Sequence, residues 1–323
     1  MERELATAVS DVDCTKNKTP VRIGLVGCGR VAEHGYLPAF RRVQGATLVG
    51  VSDMNPSRCR ALAPTIPFYE DIQSLIRAGG IDALVISVPT RFHLDYARRA
   101  AEAGVPSLVE KPPGVDLQEA KALGALKPCP WIAFNRRFEP SLVRLKRAVP
   151  NHSKWALRLE LHYRRTTWKP FDMHDDALLD LGPHLIDLAR WLTENEICST
   201  RTISLDQQYA EFELELTQGR AAVCCSTNRP YRERMDIIDS NGRLLASYRR
   251  GGVVSGIIAR LRPKVENPLI TSLVGQIEAF AETVRGGPSR SLASVDDGLA
   301  VMSVIEAIRR SARERGAPVF ITE

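Results

Sequence analysis

The stretch Val21–Ala32, VRIGLVGCGRVA, decides the fold. Its first six residues are a short apolar run rich in β-branched side chains, which is typical of a buried strand. Its second half reads G-x-G-x-x-A and leads into a helix, as in a dinucleotide-binding turn. There the first glycine allows the tight turn, and the second lets the backbone approach a pyrophosphate at the helix N-terminus. We expect cofactor contacts from Gly27, Gly29, Arg30 and Val31; the alternative is an ordinary Gly-rich strand–helix turn.

The residue that ends the next strand indicates which dinucleotide binds. Ala46 to Val51 is a second apolar run, and it ends at Ser52-Asp53. A carboxylate at that strand end accepts hydrogen bonds from the ribose hydroxyls and repels a 2′-phosphate. Asp53 therefore favours NAD over NADP, although Arg58 can weaken the preference. Asp53 can also cap the helix that begins at Asn55-Pro56, and the two roles are compatible.

Strands and helices then alternate up to about residue 140. A helix at 71–78, strands at 81–88, 107–109 and 131–134, and helices at 93–103 and 117–126 follow one another. This alternation implies a doubly wound parallel sheet, a Rossmann domain over residues 20–140, with ligands at the carboxyl ends of its strands. Residues 1–19 are polar and aperiodic, and we expect a flexible leader. The residues at or near the strand ends that we expect to meet the cofactor are Pro89, Thr90, His93, Glu110 and Lys111.

The pattern changes from Trp155 onward. Residues 155–163, 209–217, 220–227, 235–239 and 244–248 alternate apolar and polar side chains, with hairpin signals at Gln218-Gly219 and Asn241-Gly242. They predict a second α/β domain, residues 141–323, with an open, mainly antiparallel sheet that binds substrate. Helices at 269–285 and 294–315 follow, and the last one can pack back on the first domain. One sheet face is left for a partner, so we expect a homodimer or homotetramer.

A helix between the first two of these strands carries candidate catalytic residues. Asp180, His184 and Asp187 share one face of the helix at 176–192, and Gly182-Pro183 inside it predicts a kink or a break. Oxidation of a secondary alcohol by NAD requires a group that takes the hydroxyl proton, and the reverse reaction requires the same group as an acid. Lys111 and His184 are both candidates for that role, with Asp180 orienting the imidazole or the substrate.

Three motifs, taken in order, resemble the glucose-fructose oxidoreductase / inositol dehydrogenase / rhizopine-catabolism (Gfo/Idh/MocA) family. They are Gly27 to Ala32, Glu110-Lys111-Pro112, and Asp180 to Asp187, and the likeness covers about residues 21–320. The resemblance implies a Rossmann domain followed by an α/β domain, with Lys111, Asp180 and His184 as the catalytic set. It also implies a cis peptide before Pro112. Asn135-Arg136-Arg137-Phe138 matches an N-x-R-F segment that lines the cleft, so Arg137 is expected at the cofactor.

One departure from that family concerns the substrate. Glycines commonly precede the D-x-x-x-H helix, but this chain has His174-Asp175-Asp176 there. The usual sugar pose is therefore in question, and Arg164, Arg165 and Trp168 can instead meet an anionic or aromatic part of a substrate. A surface loop is the alternative interpretation of this segment.

Composition limits the remaining function classes. The net charge of +6 is spread along the chain, so no nucleic-acid partner is expected, and no apolar run is long enough to span a membrane. No signal peptide is evident, which favours the cytoplasm. The seven cysteines have no C-x-x-C spacing, so we expect reduced, buried thiols and no metal.

The sequence analysis favours an NAD(P)-dependent dehydrogenase or reductase acting on a secondary alcohol or ketone of a sugar, cyclitol or sugar nucleotide. One alternative is a reductase of a C=N or C=C bond in a non-sugar metabolite. The other is a non-catalytic cofactor-sensing regulator, although sensors of this kind tend to lose the lysine or the histidine that this chain keeps.

Overall fold

The computed structural model describes residues 19–78, 80–150, 154–165, 175–251, 267–288 and 291–321. The expected leader, residues 1–19, lies outside the described residues except for Thr19. The same holds for Trp168 and His174, and for most of the stretch between Gly251 and Pro268. No described helix combines the length and apolar character needed to cross a bilayer.

The first sheet has six parallel strands in the order β3-β2-β1-β4-β5-β6, which confirms the predicted doubly wound sheet. Its strands are β1 (Val21–Val26), β2 (Ala46–Ser52), β3 (Phe68–Tyr69), β4 (Ala83–Ile86), β5 (Ser107–Glu110) and β6 (Trp131–Ala133). Only β3 was not predicted, because two residues are too few to show a period. The reversal of strand order lies between β1 and β4, where ligands of such sheets bind.

The helices of this domain begin where side chains can cap them. A π-helical turn (Ala32–Tyr36) leads into α1 (Leu37–Phe40), followed by α2 (Pro56–Leu62), α3 (Ile72–Arg77), α4 (His93–Glu102) and α5 (Leu117–Gly124). Asn55, Asp71 and Asp116 accept hydrogen bonds from backbone N–H groups in the first turns of α2, α3 and α5. Such caps satisfy amides that have no partner within the helix.

The second sheet has seven strands in the order β12-β11-β7-β10-β9-β8-β13. They are β7 (Trp155–His162), β8 (Ile197–Leu205), β9 (Tyr209–Leu216), β10 (Gly219–Ser226), β11 (Arg232–Asp239), β12 (Leu244–Gly251) and β13 (Val319–Phe320). Every pairing is antiparallel except that of β7 with β10. The open, mainly antiparallel sheet is therefore confirmed.

Strand β8 was missed by the sequence analysis. Its sequence, ICSTRTISL, has polar or small residues at most positions, and Ser199, Thr200 and Thr202 are buried with their neighbours. The hydroxyls of Thr200 and Thr202 donate to the carbonyls of Glu213 and Ile308, so burial costs them no hydrogen bond. A hydropathy pattern does not detect buried residues of this kind.

Helix α7 (Ala177–Thr193), the helix with the candidate catalytic residues, is continuous through Pro183, so of the predicted kink or break the break is wrong. The helix connects α6 (Pro140–Lys146) and β7 to β8, and it is buried along nearly its whole length. A proline inside a helix costs about 3 kcal/mol. Burial of leucines such as Leu178, Leu185 and Leu188 contributes about 1.5–3 kcal/mol each. Packing therefore outweighs the missing hydrogen bond.

Two C-terminal helices pack against elements of the first domain. Helix α8 (Pro268–Val284) contributes Leu273, Ile277 and Phe280 to the same apolar cluster as Ile23 and Tyr36 of the first domain. Helix α9 (Val295–Arg313) begins at a capping box formed by Ser294 and Asp297, and it packs on α5, α7 and β8. We propose residues 20–140 and 141–323 as the two domains, with α8 and α9 holding them together.

Candidate active site

A cavity of about 610 Å³ lies between the two domains, where β1 and β5 end. The glycine turn and the segment after β5 line one side of it, and α7 and the second sheet line the other. Candidate residues that are far apart in the chain therefore share one space: Arg30, Val31, Glu110, Lys111 and His184. A larger groove, about 1390 Å³, lies on the free face of the second sheet and contains none of them.

The glycine turn has the shape that a dinucleotide needs. Gly27 has φ +95°, and a Cβ there would lie 2.2 Å from the carbonyl oxygen of Ser87. Gly29 differs, because a Cβ built on it would meet nothing within 4 Å. The open space over Gly29, next to the start of the helical turn, fits the pyrophosphate of a dinucleotide.

Asp53 lies at the end of β2 and faces the glycine turn. Its Oδ2 accepts a hydrogen bond from the Cys28 amide at 2.6 Å, and its Oδ1 accepts one from the Asn55 amide at 2.7 Å. Arg58 donates from Nε to the Cys28 carbonyl at 2.6 Å and forms an ion pair with Glu33 at 2.8 Å. The carboxylate of Asp53 keeps lone pairs for further donors, since two oxygens offer about four acceptor sites.

Lys111 reaches from the first domain to α7. Its Nζ donates to the Asp180 carbonyl at 2.7 Å and lies 3.4 Å from the Asp180 carboxylate oxygen Oδ1. The lysine side chain is only 13% exposed, and its peptide bond to Pro112 is cis. The ammonium group is thus held at the cavity wall by the other domain.

Asp180 is almost fully buried, yet it stays ionised. Arg165 binds its carboxylate through two hydrogen bonds, Nε to Oδ2 at 2.6 Å and Nη2 to Oδ1 at 2.7 Å. Burial raises the pKa of Asp180, but Arg165 and Lys111 outweigh it and hold the pKa below its usual range. One buried carboxylate therefore balances two cations.

His184, one turn after Asp180, is half-buried at the cavity. Its Nδ1 is buried and has no hydrogen-bond partner among the residues that the structure describes. Burial, together with the positive charges of Lys111, Arg136 and Arg165, holds the pKa of His184 well below 6.5. The imidazole is therefore neutral at physiological pH.

Glu110 binds the backbone of Lys111 and is itself held by Tyr36. The buried hydroxyl of Tyr36 donates to Glu110 Oε1 at 2.7 Å, and the backbone amide of Lys111 donates to Oε2 at 3.2 Å. Burial raises the pKa of Glu110, against the opposing effect of the Lys111 charge. Tyr36 was not singled out from the sequence, because a single tyrosine after the glycine turn carries no pattern.

Comparison with known proteins agrees with this geometry. Residues 21–127 match the model of the Gfo/Idh/MocA oxidoreductase family with an NAD-binding Rossmann fold. Inositol 2-dehydrogenase of Rhizobium meliloti is 26% identical, over 91% of this chain and 98% of its own length. The matched part of the chain therefore has the NAD-binding Rossmann fold of the Gfo/Idh/MocA oxidoreductase family. The chain is an NAD-binding oxidoreductase.

Solved structures share the fold of this protein over 94% of the chain. Myo-inositol 2-dehydrogenase from Lactobacillus plantarum has a TM-score of 0.77 at 20% identity, covering 94% of this chain and 100% of that one. Myo-inositol dehydrogenase from Lactobacillus casei, in complex with NAD(H) and myo-inositol, has a TM-score of 0.75 at 18% identity. That likeness covers 94% of this chain and 98% of that one.

Arg137, which the family motif places at the cofactor, lies among carboxylates in this structure. Its guanidinium is buried and binds Asp187, with Nε 3.0 Å from Oδ2, and it also reaches Asp297 at 3.2 Å. These carboxylates take the donors of Arg137, and contact of Arg137 with the cofactor stays a prediction. Its neighbour Arg136 lines the cavity instead, paired with Glu233. Adjacent residues of the tight turn Asn135–Phe138 point in different directions.

His93 and Thr90 hold neighbouring loops and do not line the cavity. The two ring nitrogens of His93 lie 2.7 Å from the Pro112 carbonyl oxygen and 2.9 Å from that of Val88. Thr90 donates its hydroxyl to Asp175 at 2.7 Å. His93 and Thr90 are both buried and support the loops after β4 and β5, and their direct contact with the cofactor stays a prediction. Pro89, before Thr90, belongs to the same loop and is also absent from the cavity lining.

Proposed function

We propose that this protein is an NAD-dependent dehydrogenase acting on a secondary alcohol of a cyclitol or a related sugar, with Lys111, Asp180 and His184 as its catalytic residues. One observation carries the proposal: Lys111 and His184, delivered by two domains, line a single cavity beside the glycine turn, and the buried Asp180 carboxylate lies 3.4 Å from the Lys111 ammonium behind the cavity wall. The names of the relatives, inositol dehydrogenases among them, support this substrate class.

The three residues divide the work by charge. When bound, NAD supplies the hydride acceptor, and the chain has to manage the hydroxyl proton. Neutral His184 can accept a proton, and Lys111 can exchange one with the same hydroxyl. Asp180 fixes the Lys111 ammonium and balances its charge. A group of this kind contributes about 10²–10⁴-fold to the rate.

Asp53 supports the choice of NAD over NADP. Its carboxylate stands at the end of β2, held by two backbone amides, where a 2′-phosphate would meet a negative charge. Arg58 donates from Nε to the Cys28 carbonyl, and its Nη2 is paired with Glu33. It therefore does not strongly favour binding of a 2′-phosphate. We therefore expect NADP to bind more weakly than NAD.

The free face of the second sheet supports the proposal of a homo-oligomer. Charged and small side chains alternate there: exposed Arg158 lies beside buried Asp236 and exposed Ala222, and exposed Glu213 lies beside Ala222 and Arg201. Such a face can meet a second copy of itself with opposite charges in contact. Sedimentation velocity should show a dimer or tetramer that Ala222→Arg dissociates and that Glu102→Arg, on α4, leaves intact.

A cofactor-absorbance screen tests the proposed activity. NAD and NADP are offered with cyclitols, free sugars and sugar nucleotides to the wild type, to Lys111→Ala and to the exposed control Lys121→Ala. We expect turnover with one class of polyol, lost by about 10²-fold or more in Lys111→Ala alone, with NAD affinity retained. Unchanged turnover in Lys111→Ala would remove this lysine from the mechanism.

The same screen separates the alternatives. Tight NAD binding without turnover on any polyol would favour a reductase of a C=N or C=C bond, which imine and enone substrates then test. Failure with those substrates as well, together with a cofactor-dependent change in binding to DNA or protein, would favour the regulator.

A further inference from the structure

Two cysteines meet directly beneath the cofactor turn. Cys28 is the middle residue of G-x-G, and Cys59 lies in α2, yet their Sγ atoms are only 2.8 Å apart. Both side chains are fully buried. A disulfide bond is about 2.05 Å long, so the two sulfurs are already within about 0.75 Å of bonding distance. The other described cysteines have no sulfur partner of this kind.

We propose that Cys28 and Cys59 form a redox-modification site, in which peroxide oxidants create a reversible disulfide that weakens dinucleotide binding. The site goes beyond the proposed function, since it concerns cofactor affinity and is independent of the substrate and of the catalytic residues.

The surroundings of the pair prepare one thiol as the nucleophile. The hydrogen bond between the two thiols lowers the pKa of Cys59 and raises that of Cys28. The charge of Arg58, whose Nε binds the Cys28 carbonyl, also favours a thiolate, while burial and Asp53 oppose it. The thiolate is the form that attacks an oxidant.

The chemistry balances with hydrogen peroxide as the oxidant. The Cys59 thiolate attacks one peroxide oxygen, the O–O bond breaks, and a sulfenic acid and hydroxide result. The Cys28 sulfur then attacks the Cys59 sulfur, the S–S bond forms, and the sulfenic oxygen leaves as water with the Cys28 proton. Two electrons pass from the thiols to the peroxide, and a dithiol reductant reverses the change by thiol–disulfide exchange.

The disulfide acts on the cofactor through the backbone of Cys28. Its amide binds Asp53 and its carbonyl binds Arg58, so a pull on its side chain moves the turn between Gly27 and Gly29 together with the ribose-binding carboxylate. By linkage, if oxidation weakens NAD binding, NAD must favour the reduced pair by the same factor. Bound NAD therefore protects the two thiols.

The first test identifies the bond. The full-length protein is treated with hydrogen peroxide, with and without saturating NAD, then alkylated and mapped by mass spectrometry. We expect a Cys28–Cys59 peptide pair that forms more slowly with NAD and that dithiothreitol removes. Oxidation of either thiol to sulfinic acid without a disulfide, or no oxidation at either position, would overturn the proposal.

The second test measures NAD affinity by calorimetry, which does not depend on turnover. We expect peroxide to weaken NAD binding about tenfold in the wild type and in Cys225→Ser, a control at a buried cysteine in β10. After peroxide, Cys59→Ser should bind NAD as tightly as it does before treatment. Cys59→Ala replaces it if the serine variant does not fold. Equal loss in the Cys59 variants and the wild type would refute a role for the pair. If the disulfide and the change in NAD affinity are both observed but the protein turns over no polyol, the proposed function fails and the redox proposal stands.

Discussion

The two glycines of the cofactor turn should respond to the same substitution in opposite ways. Gly27→Ala places a Cβ 2.2 Å from the Ser87 carbonyl oxygen at a φ of +95°, so the fold must yield. Gly29→Ala places a Cβ in open space, so the fold should tolerate it, but the added methyl group occupies the position that we assign to the pyrophosphate.

The magnitudes follow from these contacts. Gly27→Ala combines about 1–2 kcal/mol of backbone strain with about 1–3 kcal/mol of overpacking, a loss of about 2–5 kcal/mol in the free energy of unfolding. Gly29→Ala should stay within about 0.5 kcal/mol, or gain slightly because the unfolded chain loses freedom. Its NAD affinity should fall at least about tenfold, which is about 1.4 kcal/mol.

Urea unfolding without and with NAD measures both effects. At NAD of about 100 times the wild-type Kd, the cofactor should stabilise the wild type by about 2.7 kcal/mol and Gly29→Ala by about 1.4 kcal/mol. Gly104→Ala is the matched control, because Gly104 has φ +70° and open space, so only the strain should appear. Wild-type NAD stabilisation of Gly29→Ala, or a stability loss equal to that of Gly27→Ala, would refute the assignment.

Three further variants test charges near the site. Asp180→Asn should lower the free energy of unfolding by about 3–5 kcal/mol in urea titrations, because two buried cations lose their carboxylate; a loss below about 1 kcal/mol would contradict the ion-pair geometry. With the pKa of His184 depressed, the folded state binds fewer protons, so stability should fall as pH drops below about 6.5, by at most about 1.4 kcal/mol per pH unit. His184→Gln should reduce that slope, and an unchanged slope would show that the histidine is not buried neutral. Arg137→Lys should cost about 1–3 kcal/mol by weakening the contact with Asp187 while calorimetry finds an unchanged NAD Kd; weaker NAD binding would restore Arg137 to the cofactor site.

Much of the fold was readable because its signals are local. The glycine turn needs a positive φ at Gly27 and open space at Gly29, and the glycines of one short motif meet both requirements. The alternation in β7 and β9 likewise records which face of each strand is buried. Strand β8 was missed because most of its buried residues are polar, and the hydroxyls of Thr200 and Thr202 find partners only in the folded chain.

The candidate site was readable only in part, because motif positions do not specify partners. The D-x-x-x-H spacing placed Asp180 and His184 on one face of α7, and the structure brings both to Lys111. Spacing could not reveal that Arg165 binds Asp180 through two guanidinium nitrogens, since that contact depends on the path of the chain after β7. Nor could spacing show that Arg136 lines the cavity while Arg137 binds Asp187 and Asp297.

The charges around Asp180 explain why the site needs both domains. Lys111 and Arg165 bring two positive charges to one buried carboxylate, and this excess helps keep His184 neutral. A neutral imidazole is an acceptor, whereas a charged one would add a further positive charge next to the lysine. Lys111 comes from the domain that holds the glycine turn, and the other members come from the domain on the opposite side of the cavity. Part of the low pKa of His184 therefore depends on the two domains being in contact, and a change that separates them should raise that pKa towards its usual value.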